Sequence, residues 1–217
     1  TYFPAIAAIT IIAGAMAYWV ILNNHQKSLQ NDEEILKRAR TNYMAVINGI
    51  DRTAQLFYEQ VVNEPEVLQI LRKAESAYGK ERNTYRQKLY ELLLSHYKRI
   101  KSMGFRQLHF HLPDGTSFLR FHKPSKYGDN LKPFRYSVVR TNKELEPTSG
   151  FEEDRVINGY RFVFPVIDAG NHLGSVEVST SFLRINEALE ELEESHVNLL
   201  IKQSVVEGKL FEDGKVN

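Results

Sequence analysis

At 217 residues, with 42% hydrophobic and 25% charged side chains, the chain can bury one good core and part of a second module, which excludes a disordered polymer. A formal net charge of +1, with no basic stripe carrying interleaved aromatics, gives no reason to expect a nucleic-acid partner. The absence of cysteine excludes disulfides and zinc–thiolate sites.

In chain order, the first element is an uncharged run over residues 4–22, PAIAAITIIAGAMAYWVIL. As a helix rising about 1.5 Å per residue it would span roughly 28 Å, a membrane crossing. Tyr2 and the Tyr18-Trp19 pair lie near its two ends, where amphipathic aromatics favour the interface. A secretory signal peptide is the alternative, but the run is long for one and a polar helix follows without a loop. From 26 to 62, Leu36, Tyr43, Ile47, Ile50, Ala54, Phe57 and Val61 recur at helical spacing. Such a stripe covers a core or, alternatively, forms the seam of a homodimer. Glu64-Pro65 interrupts it; residues 66–78 read as a short helix ended by Gly79, and residues 83–102 as another helix.

After Gly104 the period changes to two. In QLHFHLPDGTSFLRFHKP, Asp114-Gly115 suits a two-residue turn between alternating flanks. That register sets His111 against Phe118, His109 against Arg120 and Gln107 against His122. One face of the hairpin then carries Gln107, His109, His111, Phe118, Arg120 and His122, while Leu108, Phe110, Leu112, Leu119, Phe121 and Ser117 take the apolar one. Residues 124–130 read as a loop, 133–141 as a short helix and 146–150 as turn. Strands follow at 160–167 and 172–180, then an acidic helix at 182–194. In the first of these strands Arg161 and Val163 share one face and Tyr160, Phe162 and Phe164 the other. The tail, 196–217, reads as strand and turn, and suggests a piece of a longer receptor entering a second module.

This order of elements resembles the extracytoplasmic Cache domain, the PAS-like sensor module of bacterial histidine kinases, chemoreceptors and diguanylate cyclases. The segments that carry the resemblance are LHFHLPDGTSFLRFHKPSKYGDNL and YRFVFPVIDAGNHLGSVEVS. It implies an α+β fold in which an N-terminal transmembrane helix (1–24) continues into a long helix with small helices (25–103). These pack on a PAS-like antiparallel sheet with a ligand pocket (104–182), followed by an exit helix and the possible start of a second module (183–217). It also implies a location at the bacterial inner membrane, with the sensor domain periplasmic. The site is similar to that of the citrate and C4-dicarboxylate sensors: Arg120 and His122 precede PSKYGDN, and Arg161 lies four residues before Pro165. Those sensors space the first pair as R-x-x-H, whereas this chain has R-x-H.

Arginine presents a planar fork that matches a carboxylate, so the expected partner is a small anionic ligand, a carboxylate. The expected contacts are His109, His111, Phe118, Arg120, His122, Arg161 and Val163, with Arg135 reaching in from the short helix. Ion pairs with Glu152, Glu153 or Asp154 are the competing role for the arginines. For the histidines, structural hydrogen bonding and a metal or proton sensor remain as alternatives. A metal is disfavoured because Arg120 opposite His109 would repel a dication unless it paired elsewhere. His25, His96, His172 and His196 are expected to face solvent or an interface. No catalytic motif occurs, no cofactor is expected, and a structural or dimerisation domain of a membrane protein is the alternative function.

Overall fold

The computed structural model describes residues 3–152 and 159–193, and the side chains of 12–152 and 159–192. The chain divides into two compact units, Thr1–Ala45 and Val46–Asn217. Helix α1 runs over Phe3–Phe57 and ends in a single π-turn, Tyr58–Val62, closed by a bond from Asn63 N–H to the Tyr58 carbonyl at 3.1 Å. Among the described residues no helix is long and apolar enough to cross a membrane. The run 4–22 falls in part on residues whose side chains lie outside the description, as do Glu153, Asp154 and the tail from 196 on.

In the second unit, α2 (Pro65–Ser76) starts with proline at its first turn, where a missing N–H leaves no bond unmade. The guanidinium of Arg82 satisfies its last carbonyls, donating to Ala74 O at 3.0 Å and Glu75 O at 3.1 Å. Gly79 opens α3 (Gly79–Ser102) rather than closing α2, and its φ of +52° turns the chain between the two helices. Strands β1 (Phe105–His111), β2 (Ser117–Arg120), β3 (Thr148–Glu152), β4 (Gly159–Asp168) and β5 (Asn171–Ser181) form one antiparallel sheet in the order β2-β1-β5-β4-β3. Helix α4 (Tyr136–Glu144) lies between β2 and β3 in the chain, and α5 (Phe182–Glu193) follows β5.

Alternation makes the sheet two-faced. Leu108, Phe110, Phe162, Phe164, Val176 and Val178 point to one side, where they pack with Ala54 and Phe57 of α1, Val67 and Leu71 of α2, and Leu89, Leu93 and Tyr97 of α3. A second cluster joins Ile47 to Ile185 and Leu189 of α5. The helical stripe is therefore core from Ile47 onward, while Leu36 and Tyr43, in the first unit, are exposed. The opposite face of the sheet meets α4, which contacts β3, β4 and β5.

Two sequence expectations change. Residues 148–152 form an edge strand although Pro147, Ser149 and Gly150 read as turn; an edge strand pairs on one side only, so poor strand formers are tolerated there. The hairpin closes on Leu112 and Thr116 around a three-residue loop, with Thr116 N–H bound to Asp114 Oδ1 at 2.9 Å. His111 consequently pairs with Ser117, and a bulge at Phe118 restores the expected His109–Arg120 register. Phe118 thus points into the helical core, and Ser117 takes its place on the histidine face.

Gly174 on β5 has φ +127°, and a Cβ there would lie 2.0 Å from the His111 carbonyl oxygen. Gly170, at φ +80°, has open space around it. Gly170→Ala should lose about 1–2 kcal/mol of stability from backbone strain alone. Gly174→Ala should lose clearly more, because the β1 backbone must shift. Urea unfolding of both variants checks this, and equal losses would contradict the close approach.

Candidate functional site

The polar face of the sheet is built by residues that alternate with the core. Val176 and Val178 of β5 turn to the helices, so Ser175, Glu177 and Ser179 turn the other way; His109 and His111 do so from β1, and Arg161 and Val163 from β4. This face is not solvated. His109, His111, Arg120, Arg135, Arg161, Val163, Ser175, Glu177 and Ser179 are all buried.

Charge compensation makes that burial tolerable. Arg161 pairs through Nη1 with Glu177 and through Nε, at 3.3 Å, with Glu152. Glu152 in turn accepts from the Ser137 backbone N–H at 3.1 Å and the Ser137 hydroxyl at 2.7 Å, fastening β3 to the first turn of α4. Arg120 forms a bidentate pair with Asp129, 2.7 and 2.8 Å, and donates to the Lys126 carbonyl at 2.8 Å. The β2 arginine therefore holds down the segment between β2 and α4.

The histidines are hydrogen-bonded beside these pairs. His109 Nε2 lies 2.8 Å from Ser117 Oγ and His111 Nδ1 lies 3.0 Å from Ser175 Oγ. The two rings meet edge to face, with centroids 4.1 Å apart. Burial, and then the neighbouring His111 and arginines, push the His109 pKa well below the ordinary imidazole value. Burial also lowers His111, to about 3, against the raising influence of Glu177. Burial alone would raise Glu177, but Arg161, Arg135 and His111 bring it down to about 2. At neutral pH the face therefore holds neutral imidazoles and an ionised carboxylate among guanidinium ions. Such a set can bind an anion through the arginines, and His109, His111 and Glu177 bring ligand-capable atoms within 4.8 Å of one another.

Across residues 18–212 the sequence matches the family described as the double sensory domain of two-component sensor kinases, dCache_3. The chain belongs to that family. No curated protein matches it. The sensory domain of the Campylobacter jejuni chemoreceptor Tlp3 with isoleucine bound shares the fold of this dCache_3 chain at TM-score 0.56 and 13% identity, covering 77% of this chain and 64% of that one. The ligand-binding domain of the same receptor in complex with L-valine gives 0.55 and 13%, over 77% and 65%. The sensor domain of the Vibrio cholerae histidine kinase DctB gives 0.52 and 16%, over 80% and 60%. The dCache_3 chain thus spans less than two thirds of the length of each of these domains.

Of the residues singled out in the sequence, His109, His111, Arg120, Arg161 and Val163 come together on the polar face, and Arg135, at the start of α4, acts electrostatically on Glu177 and both buried histidines. His122 is exposed beyond the end of β2, its ring 6.4 Å from that of His109. Phe118 is not on this face: it packs in the helical core, where Arg86 of α3 donates to its carbonyl at 2.6 Å. His172, expected at solvent or an interface, is half-buried. Sequence reasoning missed Glu177 and its flanking serines, although the alternation in SVEVS marks them: a glutamate between two core valines of a central strand must occupy the opposite face.

Below the ordinary imidazole pKa of 6.5, the unfolded chain takes up protons that folded His109 and His111 refuse. The contribution of His111 is present above pH 6.5 and lost as pH falls toward about 3, and that of His109, whose folded pKa is also lowered, is lost in the same direction. The slope is roughly 1.4 kcal/mol per pH unit for each histidine once the pH is well below the unfolded value. Glu177 contributes above its ordinary value of 4.5 and its share is lost only as pH falls from there toward about 2. Urea unfolding between pH 7 and 5 should therefore show a loss in the parent protein and a clearly shallower slope in His111→Gln, with His109 and His172, also lowered by burial, supplying the remainder. Equal slopes would contradict the neutral buried imidazole.

Proposed function

We propose that this chain is the extracytoplasmic ligand-sensing part of a bacterial transmembrane signalling receptor, and that its ligand is a small anion bound through a carboxylate. The observation that carries this reading is the convergence of Arg120, Arg135 and Arg161 on one buried sheet face of a sensory domain. Buried guanidinium ions demand an anionic partner, and here protein carboxylates fill that role. Asp129 is the exchangeable one: it is partly exposed, lies on the segment that covers the face, and is held by the same two-pronged contact a ligand carboxylate would make.

A ligand carboxylate that replaces Asp129 on Arg120 releases the segment leading to α4. His122, exposed nearby, and Arg135 add donors, while His109 and His111 support from beneath and Val163 supplies apolar contact. The Tlp3 structures with isoleucine and L-valine fit this reading, since both molecules carry a carboxylate. Transmission runs through β5 into α5, whose Ile185 and Leu189 pack against Ile47 of α1. Residues 4–22 serve as the membrane anchor in this account, and two such chains associate through the long helix.

Calorimetric titration with a size-matched panel of carboxylates tests the reading. One member should bind saturably, and Arg120→Ala should weaken it by tens-fold or more, the effect of removing one partner of a desolvated charge pair. Asp129→Asn should tighten binding, because the internal competitor is gone. Undiminished affinity in Arg120→Ala would place the ligand elsewhere. Arg161→Ala is a poorer test, since it leaves Glu177 buried without its cation and destabilises the fold.

A further inference from the structure

We infer that His109, His111 and Glu177 form a binding site for one divalent cation of the zinc class. All three residues are buried, each offers one ligand atom, and those atoms lie within 4.8 Å of one another. They stand on adjacent central strands, with His109 directly opposite Glu177 and His111 two residues along β1, so the backbone ladder fixes their spacing.

Each of the three is already held at one atom. Ser117 Oγ takes His109 Nε2, Ser175 Oγ takes His111 Nδ1, and Arg161 takes Glu177 Oε1. This is how outer partners orient metal ligands: one atom is fixed so that the other is aimed. His111 Nε2 is buried and has no hydrogen-bond partner, and Glu177 Oε2 is buried with none in hydrogen-bonding geometry, although the Ser179 hydroxyl lies close enough to lower the carboxyl's pKa. Orphaned buried polar atoms are uncommon in folded proteins. A single cation satisfies both.

Two imidazole nitrogens and one carboxylate suit zinc, nickel or copper rather than calcium or magnesium, which take oxygen ligands. The objection from Arg120 and Arg161 is met by their pairing, and Arg135, which also acts on all three groups, stands at the start of α4 rather than on the sheet. Arg120 is engaged by both oxygens of Asp129, and Arg161 by Glu177 and Glu152. Three protein ligands leave a coordination position for water or an anion. The inference stands apart from the carboxylate reading, since it requires no organic ligand and places the ion on residues other than Arg120.

The probe is Zn²⁺ alone, titrated into the chelator-treated chain in a carboxylate-free buffer. One ion per chain should bind saturably and raise the thermal midpoint, whereas Mg²⁺ and Ca²⁺ should not. His111→Gln and His109→Gln should each weaken binding by at least about tenfold, and the exposed His25→Ala and His96→Ala should leave it unchanged. Co²⁺ in the parent chain provides a readout independent of any variant's folding: visible absorption of a nitrogen–oxygen site should appear and disappear on adding Zn²⁺. No saturable Zn²⁺ binding, or binding that survives both hairpin variants, would overturn the inference. The carboxylate titration, run with chelator present, distinguishes its own failure from this one.

Discussion

The ion pair between Arg161 of β4 and Glu177 of β5 lies in the middle of a sheet face from which water is excluded, and the arrangement around it follows from keeping it compensated. Removing either partner would strand a charge in a poorly solvating interior, a far larger penalty than the pair's own net attraction. The second carboxylate on Arg161, from Glu152, reaches in from edge strand β3 and also binds the first turn of α4. One guanidinium thereby ties two central strand positions, an edge strand and the covering helix together. Arg120 and Asp129 repeat the device at the β2 edge of the same face, where the covering segment is more exposed.

This division between faces explains how one sheet can serve two purposes. The helical side is a conventional apolar core, with Ala54, Leu89, Val176 and Val178 fully buried, and gives the second unit its cohesion. The covered side is polar and buried, and such a face specifies geometry more than it stabilises. Its serines illustrate this: Ser117 and Ser175 fix the rings of His109 and His111 instead of filling volume. On the proposed reading, in which an incoming anion replaces Asp129 on Arg120, the face has two states separated by a local rearrangement rather than by unfolding.

Much of this was legible from residue spacing. Alternation placed Arg161 opposite Phe162 and Phe164, and the turn residues Asp114-Gly115 located the hairpin. The family resemblance also held, on the strength of element order. What escaped was nonlocal. Whether a hairpin closes on two residues or three depends on a bulge, and only the packing of Phe118 beneath α3 determines where that bulge falls. The edge strand at Thr148–Glu152 carries the poor strand formers Ser149 and Gly150 at its centre and is held by the ladder that β4 offers it. Glu177 could be assigned to the polar face, but its partner could not be named, because strand order β1-β5-β4 is a property of the whole sheet.

A double-mutant cycle on Arg161 and Glu177, read by equilibrium unfolding at pH 7, tests the buried compensated face most directly. Arg161→Met should cost about 3–5 kcal/mol by leaving Glu177 without its cation, and Glu177→Gln somewhat less, since Arg161 keeps Glu152. The double variant should recover much of that loss, giving a coupling energy of more than about 2 kcal/mol. Small, additive losses would mean that the two groups are solvated and that the charged face is not buried as described.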